Sequence, residues 1–146
     1  MLKLSEAASL ALHTTVLMAG DPRKQLSAKE MAAELIVSEA HLAKVLQRLA
    51  RCGLVRSERG PKGGFMLARN PSEINLLEIY ESIEGPLADT KCLKKEKICI
   101  SNRCIFGDLL CEMNSQLRKY LTETKLTDLA GIIGDNRENL SKSCEN

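Results

Sequence analysis

Aromatic side chains are scarce: Phe65, Phe106, Tyr80 and Tyr120 make up 3% of the chain, and there is no tryptophan. A core this poor in rings must be assembled from Leu, Ile, Val, Ala and Met. That suits packed helices better than a sheet sandwich, and it argues against binding bases or sugars by ring stacking. Long apolar runs are missing too. The longest uncharged stretch, residues 7–20, is interrupted by His13, Thr14 and Thr15, whereas a membrane span needs about 18 apolar residues. Residues 1–6 carry no signal-peptide pattern, so the cytoplasm is the expected location. Histidine is limited to His13 and His41. An enzyme with a cysteine nucleophile needs a base poised beside its thiol. Only these two histidines could supply that base, so no enzyme is expected.

What is present points elsewhere. At 146 residues the chain has the size of one domain, or one small domain with an attached helix. A hydrophobic fraction of 44% with 27% charged residues is ordinary for a folded soluble protein. The net charge of +2 hides a segregation: residues 38–69 hold Lys44, Arg48, Arg51, Arg56, Arg59, Lys62 and Arg69 against Glu39 and Glu58, a local +5 that leaves −3 on the remainder. Such a block is either a footprint for a polyanion or a solvated helix face. There are six cysteines. In a reducing compartment disulfides are rare, and metal binding or redox sensing are the common reasons to keep thiols. Cys92, Cys99 and Cys104 cluster, with Cys111 seven residues further; Cys52 and Cys144 stand apart.

Apolar periodicity predicts a first helix over residues 4–19, stopped by Gly20, Asp21 and Pro22. Ser27 followed by Glu30 three residues later is a capping box, opening a second helix to about Leu35. After the short turn at Ile36 and Val37, Ser38 caps a third helix over residues 39–51. Its Leu42, Val45, Leu46 and Leu49 share one face, and Gly53 suits a left-handed C-terminal position. Two short β-like runs around Gly60, Pro61, Lys62, Gly63 and Gly64 predict a hairpin. A fourth helix is expected over 75–84 and a long one over 105–122, with Leu109, Leu110, Met113, Leu117, Tyr120 and Leu121 as its apolar stripe. Thr127 reads as the cap of a last turn over 128–133.

Helix, short turn, helix and a glycine-tipped hairpin is the layout of a winged helix-turn-helix. The expected fold is therefore mainly α with a small β-hairpin, plus a long helix. A recognition helix puts its leading side chains into the major groove. Here those are Ser38, Ala40, His41 and Lys44. Arg48 and Arg51 lie further along, where phosphates come within reach. The wing offers Arg59 and Lys62 for minor-groove or backbone contact.

Specific residues carry a family resemblance. They include Ser38, Leu42, Lys44, Val45, Leu46 and Leu49; then Gly53 to Val55, Ser57, Arg59, Gly60, Gly63 to Phe65, Leu67 and Ala68. Pro71, Ile74, Leu76 to Ile79 and Glu84 to Pro86 complete the pattern. The run strongly resembles the Rrf2 family of bacterial regulators, over about residues 2–133. That family includes an iron–sulfur cluster regulator, a nitric-oxide-sensing repressor and a cysteine-metabolism repressor. The resemblance implies a homodimeric transcription factor on a double-stranded operator, with the last long helix as the dimerisation helix.

It also implies that Cys92, Cys99 and Cys104 bind an iron–sulfur cluster, 2Fe-2S or 4Fe-4S, as the three loop cysteines do in cluster-binding members. Thiolates are the soft ligands such clusters need. The fourth ligand does not carry over. Gly107 stands where the cluster regulator has a histidine, and Ser9 where the nitric-oxide sensor has an aspartate. His13, Glu6, Asp108 and Cys111 remain candidates, and His13 is favoured because some relatives supply a first-helix histidine to the partner's cluster. Glu6 is read as lying off the Ser9–His13 face. Ala43 replaces a base-contacting acidic residue, so operator preference does not carry over either. Cys52 is expected to be a packing residue, Cys111 a buried thiol and Cys144 incidental.

The expected organisation is a DNA-binding domain over 1–86, a cysteine-bearing sensor loop over 87–104, the dimerisation helix and terminal turn over 105–133, and a disordered tail over 134–146. The functional expectation is a transcriptional regulator whose operator affinity is set by the cluster. The alternative is a metal-free DNA-binding regulator that senses redox through its thiols.

Overall fold

A computed structural model of the chain describes residues 4–89 and 105–133. The expectations placed on Cys92, Cys99, Cys104, Cys144 and the tail fall outside the described residues. Five α-helices are described: α1 Glu6–Gly20, α2 Ala28–Leu35, α3 Glu39–Arg51, α4 Leu76–Glu84 and α5 Leu109–Glu123, with strands β1 Val55–Glu58 and β2 Gly64–Leu67 between α3 and α4. The fold is thus mainly α with one antiparallel hairpin. No described helix is long and apolar enough to cross a membrane.

Local chemistry sets most helix starts. Ser5 caps α1 by accepting from the Ala8 N–H at 3.1 Å. The carboxylate of Glu84, at the far end of α4, accepts from the Ser5 hydroxyl and N–H and so ties the two helix ends together. The predicted capping box at Ser27 and Glu30 is present in both directions, and Asn75 with Glu78 forms a second one on α4. Two N–H···O bonds close the turn between α2 and α3, from Ile36 to Ala33 at 3.4 Å and from Val37 to Ala32 at 2.9 Å. They hold Ile36 in the left-handed region at φ 56°, the one non-glycine residue with positive φ among those described. For a β-branched residue this costs roughly 1–2 kcal/mol.

The core lies where α1, α3 and α4 meet. Ala8, Ala11, Leu42, Leu46, Leu49, Ile74 and Ile79 are fully buried there, with Met31 from α2. Thr14 and Thr15 are buried polar exceptions on α1; their hydroxyls donate to the carbonyls of Leu10 and Ala11 one turn back, at 2.7 and 2.9 Å, so neither goes unpaired. Truncating a fully buried leucine such as Leu46 to alanine is expected to cost about 2–5 kcal/mol.

Val55 pairs with Leu67 and Glu58 with Gly64 across the hairpin. A third stretch joins it: Leu26 exchanges two backbone hydrogen bonds with Phe65, at 3.0 and 2.8 Å. Gly64 permits this approach, since a Cβ there would fall 2.8 Å from the Leu26 carbonyl oxygen. The Gln25 amide also donates to the Glu58 carboxylate.

The structure corrects several expectations. Helix α5 starts at Leu109 rather than 105, because Gly107, in the left-handed region at φ 55°, interrupts the right-handed helical backbone. The last turn is a 3-10 turn, Leu126–Leu129, not one capped by Thr127 over 128–133. Non-local bonds draw it forward: Leu126 N–H donates to Ile74 O at 3.0 Å, and Leu76 N–H to Thr124 O at 3.2 Å. The α5 stripe divides between two faces. Leu110 and Leu121 are buried, whereas Leu109, Met113 and Tyr120 are 48%, 54% and 58% exposed. Cys52 and Cys111 are both exposed, not packed. Cys52 lies past the last inward turn of α3, where Leu54 takes the core position instead.

Candidate functional site

The leading end of α3 and the hairpin carry the residues expected to meet DNA. Ser38 spends its oxygen on capping, accepting from the His41 N–H at 3.3 Å, and its hydroxyl proton stays available to an outside acceptor. Ala40 and Lys44 are exposed. His41 leans toward α1, where its Nδ1 is 3.8 Å from Glu6 Oε1 and its side chain is 35% exposed. Arg48 reaches α4, and its Nη2 donates to the Ile83 carbonyl at 2.5 Å. Helix α3 is thereby tied to α4 at its C-terminal end, while Ser38, Ala40 and Lys44 at its N-terminal end stay exposed.

The basic block resolves into engaged and open cations. Arg69 pairs with Glu78 at 3.1 Å, and Arg56 lies over Met66 Sδ at 3.2 Å. Lys44, Arg59 and Lys62 are exposed and form no ion pair among the described residues. Arg59 and Lys62 occupy the tip between β1 and β2. Their reach is set by a hairpin braced on its far edge by Leu26, a brace with no signal in sequence because it joins positions far apart in the chain.

On α1, a different chemistry is built. His13 Nδ1 is 2.7 Å from the Ser9 carbonyl oxygen and 3.4 Å from the Ser9 hydroxyl. A carbonyl can only accept, so Nδ1 carries the proton, and the lone pair of the neutral ring sits on Nε2. His13 is exposed. It lines a cleft of about 210 Å³ with Glu6, Ser9, Leu10, Leu35 and Val37. Glu6 therefore shares the His13 cleft, contrary to the sequence reading, because a spacing of seven residues returns to the same helix face. Asp108 is exposed at the start of α5. Among the described residues, no group of three or more His, Cys, Asp or Glu stands together to hold a metal ion.

The chain entering the cysteine-bearing segment is anchored to α5. The Arg118 guanidinium donates to the Leu87 carbonyl and pairs with Asp89 Oδ1 at 3.1 Å. Arg118 and Asp89, together with Cys111, Asn114 and Lys119, line a cleft of about 510 Å³ along that helix.

Comparison with known proteins bears on all of this. A family model described as Rrf2, iron-dependent transcriptional regulator, matches residues 4–131. The HTH-type transcriptional regulator BadM of Rhodopseudomonas palustris is 37% identical over 83 residues, or 57% of this chain and 53% of BadM, so the chain spans about half the length of that relative. The HTH-type transcriptional regulator NsrR of Shouchella clausii is 29% identical over 121 residues, covering 82% of this chain and 78% of NsrR. The solved structure of CymR, the global cysteine regulator of B. subtilis, is similar with a TM-score of 0.77 at 27% identity, covering 92% of this chain and all of that one. The capped helix-turn-helix, the braced basic hairpin and the extent of the family match lead to one conclusion: this chain belongs to the Rrf2 family of DNA-binding transcriptional regulators.

Proposed function

We propose that this protein is a dimeric regulator whose affinity for a double-stranded operator is set by an iron–sulfur cluster. The cluster would be held by Cys92, Cys99 and Cys104, with His13 of the partner subunit as the fourth ligand. The observation that carries the ligand assignment is the Ser9–His13 bond: it fixes the ring and turns the free Nε2 lone pair outward, the second-sphere arrangement that ligating histidines use. A cluster supplies a group whose oxidation, nitrosylation or loss changes what the thiolates can hold together.

The chain's own residues would do the rest. Ser38, Ala40, His41 and Lys44 face the major groove, while Arg48 is held on α4 by the Ile83 carbonyl. Arg59 and Lys62 meet phosphates or the minor groove from the wing. Arg118 fixes the entrance to the cysteine segment on α5, whose exposed Leu109, Met113 and Tyr120 would pack against a second copy. A change at the cysteines is thereby passed to the element that sets the spacing of two recognition helices. A ligand biases only states for which its affinity differs, and residues 87–104 join the two parts that must move.

The exposed thiols of Cys52 and Cys111 favour a second reading, in which the same regulator senses redox by thiol–disulfide exchange without metal. Protein purified without oxygen separates the two. Iron, acid-labile sulfide and visible absorption are expected in the wild type and lost in Cys92→Ser, Cys99→Ser or Cys104→Ser, but kept in Cys52→Ser and Cys144→Ser. Colourless, iron-free wild-type protein would overturn the cluster reading. Equal loss in all five variants would point to misfolding.

A further inference from the structure

Ile36 combines features that the fold does not require together. Its side chain is 90% exposed. Its backbone is held left-handed by the turn. It stands two residues before Ser38, the N-cap of α3. The turn needs the left-handed conformation, because the Ile36 and Val37 N–H groups must reach back to Ala33 and Ala32. Glycine or asparagine meets that need without strain. Isoleucine meets it under strain and leaves a branched hydrocarbon in water, where it stabilises nothing within the chain. Its neighbours Leu35 and Val37 line the His13 cleft, whereas Ile36 does not. Strain of this kind gathers at contact sites.

We propose that Ile36 is a specificity-determining residue: its side chain packs against the 5-methyl group of a thymine in the major groove of bound DNA. This rests on reading α3 as the recognition helix. Ile36 is continuous with the open leading end of that helix, beside exposed Ser38, Ala40 and Lys44. An aliphatic group can neither donate nor accept a hydrogen bond, and the thymine methyl is the one apolar mark that unmodified bases present in that groove. The other large apolar side chains more than half exposed among the described residues, Leu4, Ile105, Met113, Tyr120 and Ile132, all lie outside the helix-turn-helix.

The test starts from a random-sequence duplex library enriched separately by the full-length wild type and by Ile36→Gly and Ile36→Asn, both compatible with a left-handed backbone. The duplex selected by the wild type is then remade with each thymine in turn replaced by deoxyuridine, which removes only the methyl. One position in each half-site should weaken wild-type binding about fourfold per half-site, the worth of one buried methyl group. Both variants should be indifferent to that replacement and should relax their preference at that base pair. Identical selected sequences and identical deoxyuridine sensitivity in wild type and variants would overturn the proposal. So would a variant that loses only its dimer in sedimentation, since Ile36 would then serve a second copy of the chain. A wild type that enriches no sequence would overturn the recognition-helix reading itself, and this proposal with it.

Discussion

The Nδ1 of His13 donates to the carbonyl oxygen of Ser9, one turn back on α1, at 2.7 Å. The bond decides which nitrogen can serve a metal, and it keeps the ring on the face shared with Glu6. His13→Ala is expected to shift the visible absorption of anaerobically purified protein and shorten the cluster's lifetime in air, with the dimer still folded. A variant with wild-type absorption and lifetime would move the fourth ligand to Asp108, Glu6 or Cys111.

Arg59 sits exposed at the wing tip without an ion pair among the described residues. Arg59→Ala should weaken binding to the selected operator and reduce the slope of log affinity against log salt by about 1, if it contacts a phosphate. Titrations at several salt concentrations measure this. An unchanged slope together with unchanged affinity would remove the wing from the interface.

Met113 and Tyr120 are more than half exposed on α5, although both belong to its apolar stripe. Met113→Glu puts a carboxylate into any interface formed there, a penalty on the order of several kcal/mol for each buried charge. Sedimentation should show dissociation at concentrations where the wild type is dimeric, with the helical signal intact. A dimer of unaltered stability would place self-association on another face.

Helix α2 offers a pH-dependent test of local stability. The Ser27 backbone N–H, and then its hydroxyl, hold the Glu30 carboxyl below the ordinary glutamate value, with Lys24 adding a smaller pull in the same direction. Because the folded-state value is the lower one, the ionised box contributes fully above the usual glutamate range. That contribution is lost as pH falls through the folded-state value. Ser27→Ala should cost about 1 kcal/mol at neutral pH. The stability gap between wild type and Glu30→Gln, measured by thermal unfolding, should shrink on acidification. A gap that widens would contradict the box as the cause.

Much of the fold was legible from the chain because its signals are local. Ser27 with Glu30, Ser38 before its apolar stripe, and the glycines of the wing each act within four residues, and the elements they announce are present. The α5 stripe was harder to read. Periodicity finds the apolar positions of a helix, but whether Leu121 or Met113 faces the chain's own core depends on where α4 lies. Cys52 and Cys111 illustrate the same limit: a small apolar thiol suits burial, yet neighbouring elements leave both exposed.

Sequence alone determined the winged helix-turn-helix, the basic cations and the three clustered cysteines, since caps, turns and residue chemistry are properties of short segments. Tertiary structure decided which of those cations stay open. Arg48 is drawn to the Ile83 carbonyl and Arg69 to Glu78, partners that only folding brings near. It also decided the brace of Leu26 on Phe65 and the return of Leu126 to Ile74, backbone pairings that no residue type announces. The left-handed backbone of Ile36 was settled in the same way. Its side chain disfavours that conformation, and closing the turn so that α3 can pack on α1 and α4 outweighs the preference.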